Sequence, residues 1–443
     1  MAGRQKITKA LTAFFFIAPA ALEAFCPDLA QYYPLIDDNP VALESNLFEL
    51  TSECSDNSEY FALLGSVQLS LGKVLVSREN LELALLINPE NGSALIDYAE
   101  TFFELGEIFT AIDLNLRLLE RDDLPAGLRE SIAERGMRWR SVTRNTRYRV
   151  SALAGYDNNL NSAPFSRQLA LTLSGESVLL AVSPNFRPLS GEYSNLIFGG
   201  EHTRTGPGRN IRIAGETRGR FGTDHRHNIL QANAQVGISE AGERGRWALQ
   251  VDTAQLNYGG NSIFTSTTLR ASLRAGRAFN CEVFPRLAVQ YQSFRIQRIL
   301  GGIETSLGAG LDCSDTFGVR GSRFGVELLG LNNKPTKTER LGGDRDGWQF
   351  NLMWQAPLGR GTLSAQYSRT ELNDELGYSP IFKDGARRRE ALDSAYLSYS
   401  VPVETLGPGV RFIANAYFRE QRNTIALFRV EGATAEVGLS FEF

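Results

Sequence analysis

The chain has 443 residues, 42% of them hydrophobic and 22% charged, with a formal net charge of −4. That composition excludes a disordered polymer and leaves room for two or three domains. The charge is unevenly spread: residues 25–125 hold 19 Asp and Glu against 4 Lys and Arg, whereas residues 126–149 hold 2 acids against 7 Arg.

Residues 1–24 join Arg4, Lys6 and Lys9 to an apolar run from Ala10 to Leu22 and end in Leu22-Glu23-Ala24, the pattern of a secretory signal peptide. The run is too short to span a membrane as a helix, and no later stretch offers about 18 consecutive apolar residues. Cys26 is not read as a lipidation site, because Phe25 stands where a small side chain is required. Four cysteines in an exported chain favour disulfides, and four permit three pairings. Cys26 with Cys54 would close the first helical layer.

Residues 25–145 read as a helical domain built on a 34-residue repeat. In the first unit Phe61, Leu64, Gly65, Gly72, Leu81, Ala84 and Pro89 fall at tetratricopeptide positions; in the second, Leu95, Tyr98, Ala99, Phe102, Gly106 and Ala111 match in turn. Gly72 and Gly106 are 34 apart. Small residues there let paired helices approach, and the large apolar ones fill the spaces between them. Two units bury too little alone, so a helix over 40–50 and another from Pro125 to about Trp139 are expected to cap the stack. The Arg-rich neck that follows suits a segment meeting anionic lipid, against the blander reading of a solvated helix face; no nucleic-acid partner is expected.

From residue 146 to the end the pattern changes to a period of two. Tyr148, Val150, Ala152, Ala154 and Tyr156 alternate with Arg147, Arg149, Ser151, Leu153 and Gly155, and the chain ends with Ala435, Val437, Leu439, Phe441 and Phe443 opposite Thr434, Glu436, Gly438, Ser440 and Glu442. Repeated strand after strand, this predicts a transmembrane antiparallel barrel with lipid outside and water inside. Short turns are expected at 206–208, 240–245, 278–281, 313–321, 357–361 and 402–409. Longer loops are expected at 157–191, 222–226, 259–261, 293–299, 332–346, 373–390 and 421–424. The runs between them give about fourteen strands, an even number as such barrels require. In this register Cys281 opens one strand and Cys313 ends the next on the same rim, where a disulfide is geometrically reasonable.

The longest loop, 157–191, is the natural candidate to fold into the lumen, its apolar stretch 177–182 being equally a short extra hairpin or a shield for a hydrophobic cargo. Arg212, Arg218, Arg220, Arg270 and Arg369 are expected to give the wall a mixed, Arg-rich lining. With three His in the chain no metal or other cofactor is expected: His225 and His227 would share a strand face, but without converging acids a loop-edge pair is the better reading. Asp157, Asn158, Asn159 and Asn161 are either turn formers or a lining of the outer mouth.

The signal peptide, the short repeat domain, the basic neck and the stretch Gly155-Tyr156-Asp157-Asn158-Asn159-Leu160-Asn161-Ser162-Ala163-Pro164 together resemble the surface lipoprotein assembly modifiers. The helical domain is short for that family. The resemblance implies a periplasmic helical domain ahead of a fourteen-stranded outer-membrane barrel, and a terminal Phe443, behind Phe441, read by the barrel-assembly machinery. It implies cargo that is a lipoprotein or a secreted haem- or metal-capturing protein, outer-membrane lipid as surroundings, and no chemical reaction. A polysaccharide exporter is the second reading, since exporters also join helical repeats to a barrel. An enzyme would need a Ser or Asp in register with His202, His225 or His227, and no triad follows from them.

Overall fold

The computed structural model describes residues 26–242, 245–278 and 280–443; the predicted signal peptide, 1–24, lies outside the described residues. The chain divides into two compact units between Ser141 and Val142.

The first unit is helical: α1 (Leu35–Asp38), α2 (Pro40–Glu49), α3 (Ser58–Ser70), α4 (Val74–Ile87), α5 (Gly92–Glu104), α6 (Ile108–Leu119) and α7 (Ala126–Val142). Asn39, Asn57 and Asn91 start α2, α3 and α5 by accepting first-turn backbone N–H bonds on their side chains. The ends of α3 and α5 are built alike, 34 residues apart. Gly72 and Gly106 take φ of +72° and +80°, and the next residues, Lys73 and Glu107, each donate at 2.8 Å to the carbonyls of Gln68 and Phe102. This is the turn that a left-handed glycine makes possible after a helix.

Packing explains the other small residues. A Cβ on Gly65 would stand 2.6 Å from Leu81 Cγ, so α3 and α4 touch only because the side chain is missing. Tyr60, Leu63, Val67, Leu81, Ala84, Ala94, Ala99 and Ala111 are fully buried along the stack. Cys26 and Cys54 are disulfide-bonded, and Cys54 lies in the core with Leu29, Leu43 and Leu47. At the far end Trp139 stacks on Phe103 at 4.9 Å, and the Arg135 guanidinium lies 4.6 Å over the Trp139 ring.

The second unit is a closed antiparallel barrel of fourteen strands, each paired with its sequence neighbour in the barrel and closed by the first against the last. The strands are β1 (Arg144–Asp157), β4 (Gly191–Thr205), β5 (Arg209–Gly222), β6 (Ile229–Gly242), β7 (Gly245–Tyr258), β8 (Asn261–Ala278) and β9 (Cys281–Phe294). They continue through β10 (Gly302–Ser314), β11 (Arg323–Pro335), β12 (Arg345–Leu358), β13 (Gly361–Gly377), β14 (Arg387–Pro402), β15 (Val410–Asn423) and β16 (Val430–Glu442). Two further strands, β2 (Gln168–Leu173) and β3 (Glu176–Ala181), form a separate hairpin. The expected alternation of connections is broadly present: β1 starts and β16 ends at the rim of short turns and most long connections lie at the other rim, the exceptions being the tight turn 259–260 at the loop rim and the longer connection 315–322 at the turn rim.

Period two sorts the wall. Ile213, Val236, Val251, Leu269 and Val289 pair across five strands on the outer surface, while Gln235, Asp252, Thr268, Gln290 and Glu304 form the neighbouring rung inside. A closed sheet leaves no backbone edge unpaired, and an apolar exterior around a polar interior lets it sit in hydrocarbon. This is the architecture of an outer-membrane protein. Phe443 completes the closure: its N–H donates to Tyr148 O at 3.0 Å and its carbonyl accepts from Tyr148 N at 2.7 Å. Cys281 and Cys313, directly paired on β9 and β10, are disulfide-bonded at the turn rim.

Candidate functional site

The lumen is the place where function can reside, and its two sides differ. On β1 and β4–β8 the inward residues form a zipper of opposite charges. Arg149 meets Glu216 at 2.6 Å, Arg212 meets Glu201 at 2.6 Å, and Arg147 bridges Glu201 and Glu442 at 3.5 and 3.7 Å. Arg270 pairs with Asp252. These charges border a cavity of about 670 Å³. Pairs this exposed contribute little stability, typically under about 1 kcal/mol each; their effect is to cancel the field that unpaired arginines would set up. The side made by β9–β15 carries fewer charges: Phe284, Met353, Gln366, Ser368, Ser394 and Tyr396 border a second cavity of about 530 Å³ together with Asp312 and the Arg286–Glu327 pair at 2.6 Å.

At the loop rim one carboxylate ties three connections together. The Asp374 side chain is wholly buried, 3.1 Å from Arg345 and 3.1 Å from Arg388. Arg388 lies over Tyr378, from the β13–β14 connection, and Phe428, from the β15–β16 connection, at 4.8 and 5.4 Å. From the β11–β12 connection comes Gly342, with φ of +86° and no room for a side chain: a Cβ there would stand 2.1 Å from Asp374 Oδ2. Arg340 of the same loop donates to the Asn333 side chain and carbonyl at 2.6 and 2.8 Å. Asn333 and Asp374 both point inward, so loop 336–344 folds over the inside of the mouth.

For loop 157–191 the extra-hairpin alternative is the one present, and the lumen-filling one is corrected in part. Its root does tuck inward, where the Leu160 carbonyl accepts from Arg220 and a Cβ on Gly191 would meet Leu160 at 2.8 Å. Its apolar middle is the β2–β3 hairpin at the rim, bonded through Thr172 N to Ile381 O at 2.7 Å. Backbone groups of an isolated stretch need partners, and pairing as a hairpin supplies them.

Asp157 accepts from Arg220 at 2.6 Å and from Asn159 N at 2.7 Å. Asn159 bonds both backbone groups of Ala163 and the Glu431 carbonyl, Asn158 accepts from Ala433 N, and Asn161 bonds Arg187 O and Leu189 N. Their polar groups are spent on shaping the β1 turn and fastening it to β16, to β5 and to the segment just before β4.

Arg369 does not line the lumen. It shares its face with Leu363, Ala365 and Tyr367 and pairs with outward Phe350 and Asp393, so strict alternation carries it outside. His225 and His227 lie in a three-residue 3-10 turn rather than on a strand, because Asp224 caps it by accepting from Arg226 N. His227 Nδ1 is 2.5 Å from Tyr258 OH. His202 faces outward, bonded to Thr146 at 2.7 Å. Among the described residues no group of three or more His, Cys, Asp or Glu is placed to hold a metal.

Asp374, Arg345 and Arg388 were not singled out from sequence. By sequence Arg345 falls in the loop 332–346 and Asp374 and Arg388 in the loop 373–390, where period two assigns no facing, and their meeting depends on three loops converging, which no local pattern encodes.

No protein-family profile matches the sequence, and neither does any curated protein. Among solved structures, OccAB3 of Acinetobacter baumannii is similar at 8% identity, covering 68% of this chain and 100% of that one, with a TM-score of 0.36. An anion-selective porin from Comamonas acidovorans aligns at 13% identity over 68% of this chain and 99% of its own, TM-score 0.33. A bacterial polysaccharide outer-membrane secretin aligns at 9% over 67% and 98%, TM-score 0.35. Likenesses this slight carry no weight for function; the barrel reading rests on the chain's own closure and its apolar outer wall.

Proposed function

We propose that this protein passes a polymer across the outer membrane, with a periplasmic, tetratricopeptide-like helical unit receiving the cargo and the barrel conducting it. The cargo of this reading is a lipoprotein or related secreted protein, as the resemblance to the surface lipoprotein assembly modifiers implies. No reaction is part of it, and the outward Phe441 and terminal Phe443 are the residues offered to the assembly machinery.

The observation that supports it is the two-sided lumen. Fourteen strands spaced about 4.8 Å and tilted about 40° give a backbone diameter of ~28 Å before side chains are subtracted. A helix about 10–12 Å wide fits such a space, whereas a folded 100-residue domain, with a radius of gyration of about 13 Å, does not. An extended chain finds self-neutralised charges on one side and Phe284, Met353 and Tyr396 on the other, so neither its polar nor its apolar residues are held fast.

The test is surface protease accessibility of outer-membrane lipoproteins in cells with and without the gene, with secreted polysaccharide assayed in the same cultures. Loss of surface exposure with polysaccharide unchanged supports the protein cargo. A fall in polysaccharide alone replaces it with glycan export, a reading favoured by one feature of the lumen, the tyrosine-lined cavity described next.

A further inference from the structure

The inward faces of β4–β6 and β14–β16 enclose a cavity of about 390 Å³, next to the charge zipper. It exists because β1, between β4 and β16, presents Gly155 inward: a Cβ there would stand 2.6 Å from the Tyr193 ring, so the missing side chain lets Tyr193 lie across β1. Tyr193 OH then donates to Glu436 Oε1 at 2.8 Å. Asn195 Nδ2 donates to the same oxygen at 2.8 Å, and Asn415 Nδ2 donates to Oε2 at 3.2 Å. Tyr396 OH donates to Asn415 Oδ1 at 3.0 Å.

One buried acceptor is left over. Asn195 is 2% exposed, yet its Oδ1 has no hydrogen-bond partner. A stranded buried polar atom is destabilising, and that cost is removed when a ligand hydroxyl donates to it. Beside it Tyr396 and Tyr417 are direct cross-strand neighbours facing the lumen, and Tyr417 keeps 39% of its surface exposed.

We propose that this cavity binds a sugar ring of a glycan, Asn195 Oδ1 accepting from a hydroxyl and the Tyr417 ring lying against the C–H face. The chemistry selects this class by elimination. A cation finds the Glu436 carboxylate already holding three neutral donors. An anion meets the Glu436 carboxylate and the bare oxygen of Asn195, both of which repel it, while Arg220 is held by Asp157 and the Leu160 carbonyl through its terminal nitrogens, with only its Nε unpaired. An apolar ligand would seal the free oxygen of Asn195 away from any donor. A ligand with an amphipathic ring and many hydroxyls satisfies the aromatic faces and the unpaired acceptor together, in a volume within the usual range of about 300–1,000 Å³ for ligand sites. The inference goes beyond the transport reading and holds for either cargo.

The experiment is single-channel recording of the full chain in planar bilayers with maltohexaose, chitohexaose or mannohexaose, and polyethylene glycol of matched size as control. The expected result is discrete current interruption by at least one hexaose and not by the glycol, with affinity falling at least tenfold in Asn195→Ala and in Tyr417→Ala. Tyr417→Phe, which keeps the ring, retains it within about threefold. Resistance of each variant to unfolding in cold detergent, read as gel mobility, shows that the barrel is intact; should Asn195→Ala fail to fold, Tyr417→Ala against Tyr417→Phe decides. Faster block from the turn-rim side marks an exported glycan, and faster block from the loop-rim side marks one from the surroundings. Block by the glycol equal to that by every hexaose, or block unchanged in both alanine variants, overturns the proposal.

Discussion

Replacing Asp374 by Asn removes the only acid that Arg388 pairs with among the described residues and one of two that Arg345 pairs with, the other being Glu390 at 3.3 Å. Arg345 and Arg388 are left with side chains 17% and 11% exposed. Breaking a buried pair by deleting one partner costs about 3–5 kcal/mol; because both guanidiniums can turn partly toward lumen water, the lower figure applies. The nearest relief is for loop 336–344, whose Gly342 lies against Asp374, to leave the wall and admit water. A shift of about 3 kcal/mol moves that local equilibrium by roughly a hundredfold. Lys337, exposed in this loop, reports the change directly: tryptic nicking there is expected to rise by one to two powers of ten in Asp374→Asn, with larger and noisier conductance. The closed barrel, held by fourteen strand pairings, keeps its gel mobility. Equal nicking and equal conductance in the two proteins would refute the claim that Asp374 fastens the mouth.

Three further outcomes are expected in the helical unit. Gly65→Ala forces a Cβ to 2.6 Å from Leu81 and should lower stability by about 1–3 kcal/mol; Gly72→Ala meets nothing within 4 Å and should cost only its left-handed backbone, about 1–2 kcal/mol, both read by thermal melting of the 222 nm signal. Reducing Cys26–Cys54, which spans 28 residues, should cost about 3–4 kcal/mol by loop entropy, seen as an earlier melt with reductant that a Cys26→Ser, Cys54→Ser variant reproduces without it. Burial raises the Asp97 carboxyl above its ordinary value, against the lowering effects of Ser66 and Arg135, and burial raises Glu100 likewise. A carboxyl raised in the folded state stabilises when protonated, so this contribution is complete below the unfolded value, about 4, and is lost as pH climbs through the raised one. The helical melt should therefore rise on acidification from neutrality, and Asp97→Asn should melt higher at pH 7 with a flatter profile; a steeper one would contradict it.

How much of this was legible follows from the range of each interaction. The matching ends of α3 and α5 were readable because Gly72 and Gly106 act within their own turn. The strands were readable because one-sided burial imposes period two on each separately, and the turns because Gly and Pro punctuate them. Which loop enters the lumen was not: length pointed to 157–191, whereas loop 336–344 is drawn in by the Arg340–Asn333 bonds and by the lack of a side chain on Gly342. The tyrosine cavity was hidden for a related reason. Tyr193, Asn195, Asn415 and Glu436 each look like one more inward polar residue, and they become a group only when β1 closes on β16.

Arg369 shows where period two needs a second coordinate. Going up the outer face, one rung reads Leu352, Tyr367, Ala395, Phe418 and Ala433, and the next reads Phe350, Arg369, Asp393, Glu420 and Glu431. Parity puts both rungs outside; only depth separates them. A guanidinium on the lipid face costs about 2–4 kcal/mol at the midplane and about 0–1 near the interface, so a rung this charged belongs at the upper edge of the apolar band. The side chains agree: Arg369 lies between Glu371 and Asp393, Arg422 reaches Asp393 at 2.5 Å, and the Tyr367 hydroxyl donates upward to Asp393 at 2.6 Å. Tyr367 has its ring in the band and its hydroxyl in the charged row, which is the placement an interfacial tyrosine takes. Charge alone assigned Arg369 to the water-filled interior; charge taken with parity assigns it to the other wet region a barrel touches, the surface of the membrane.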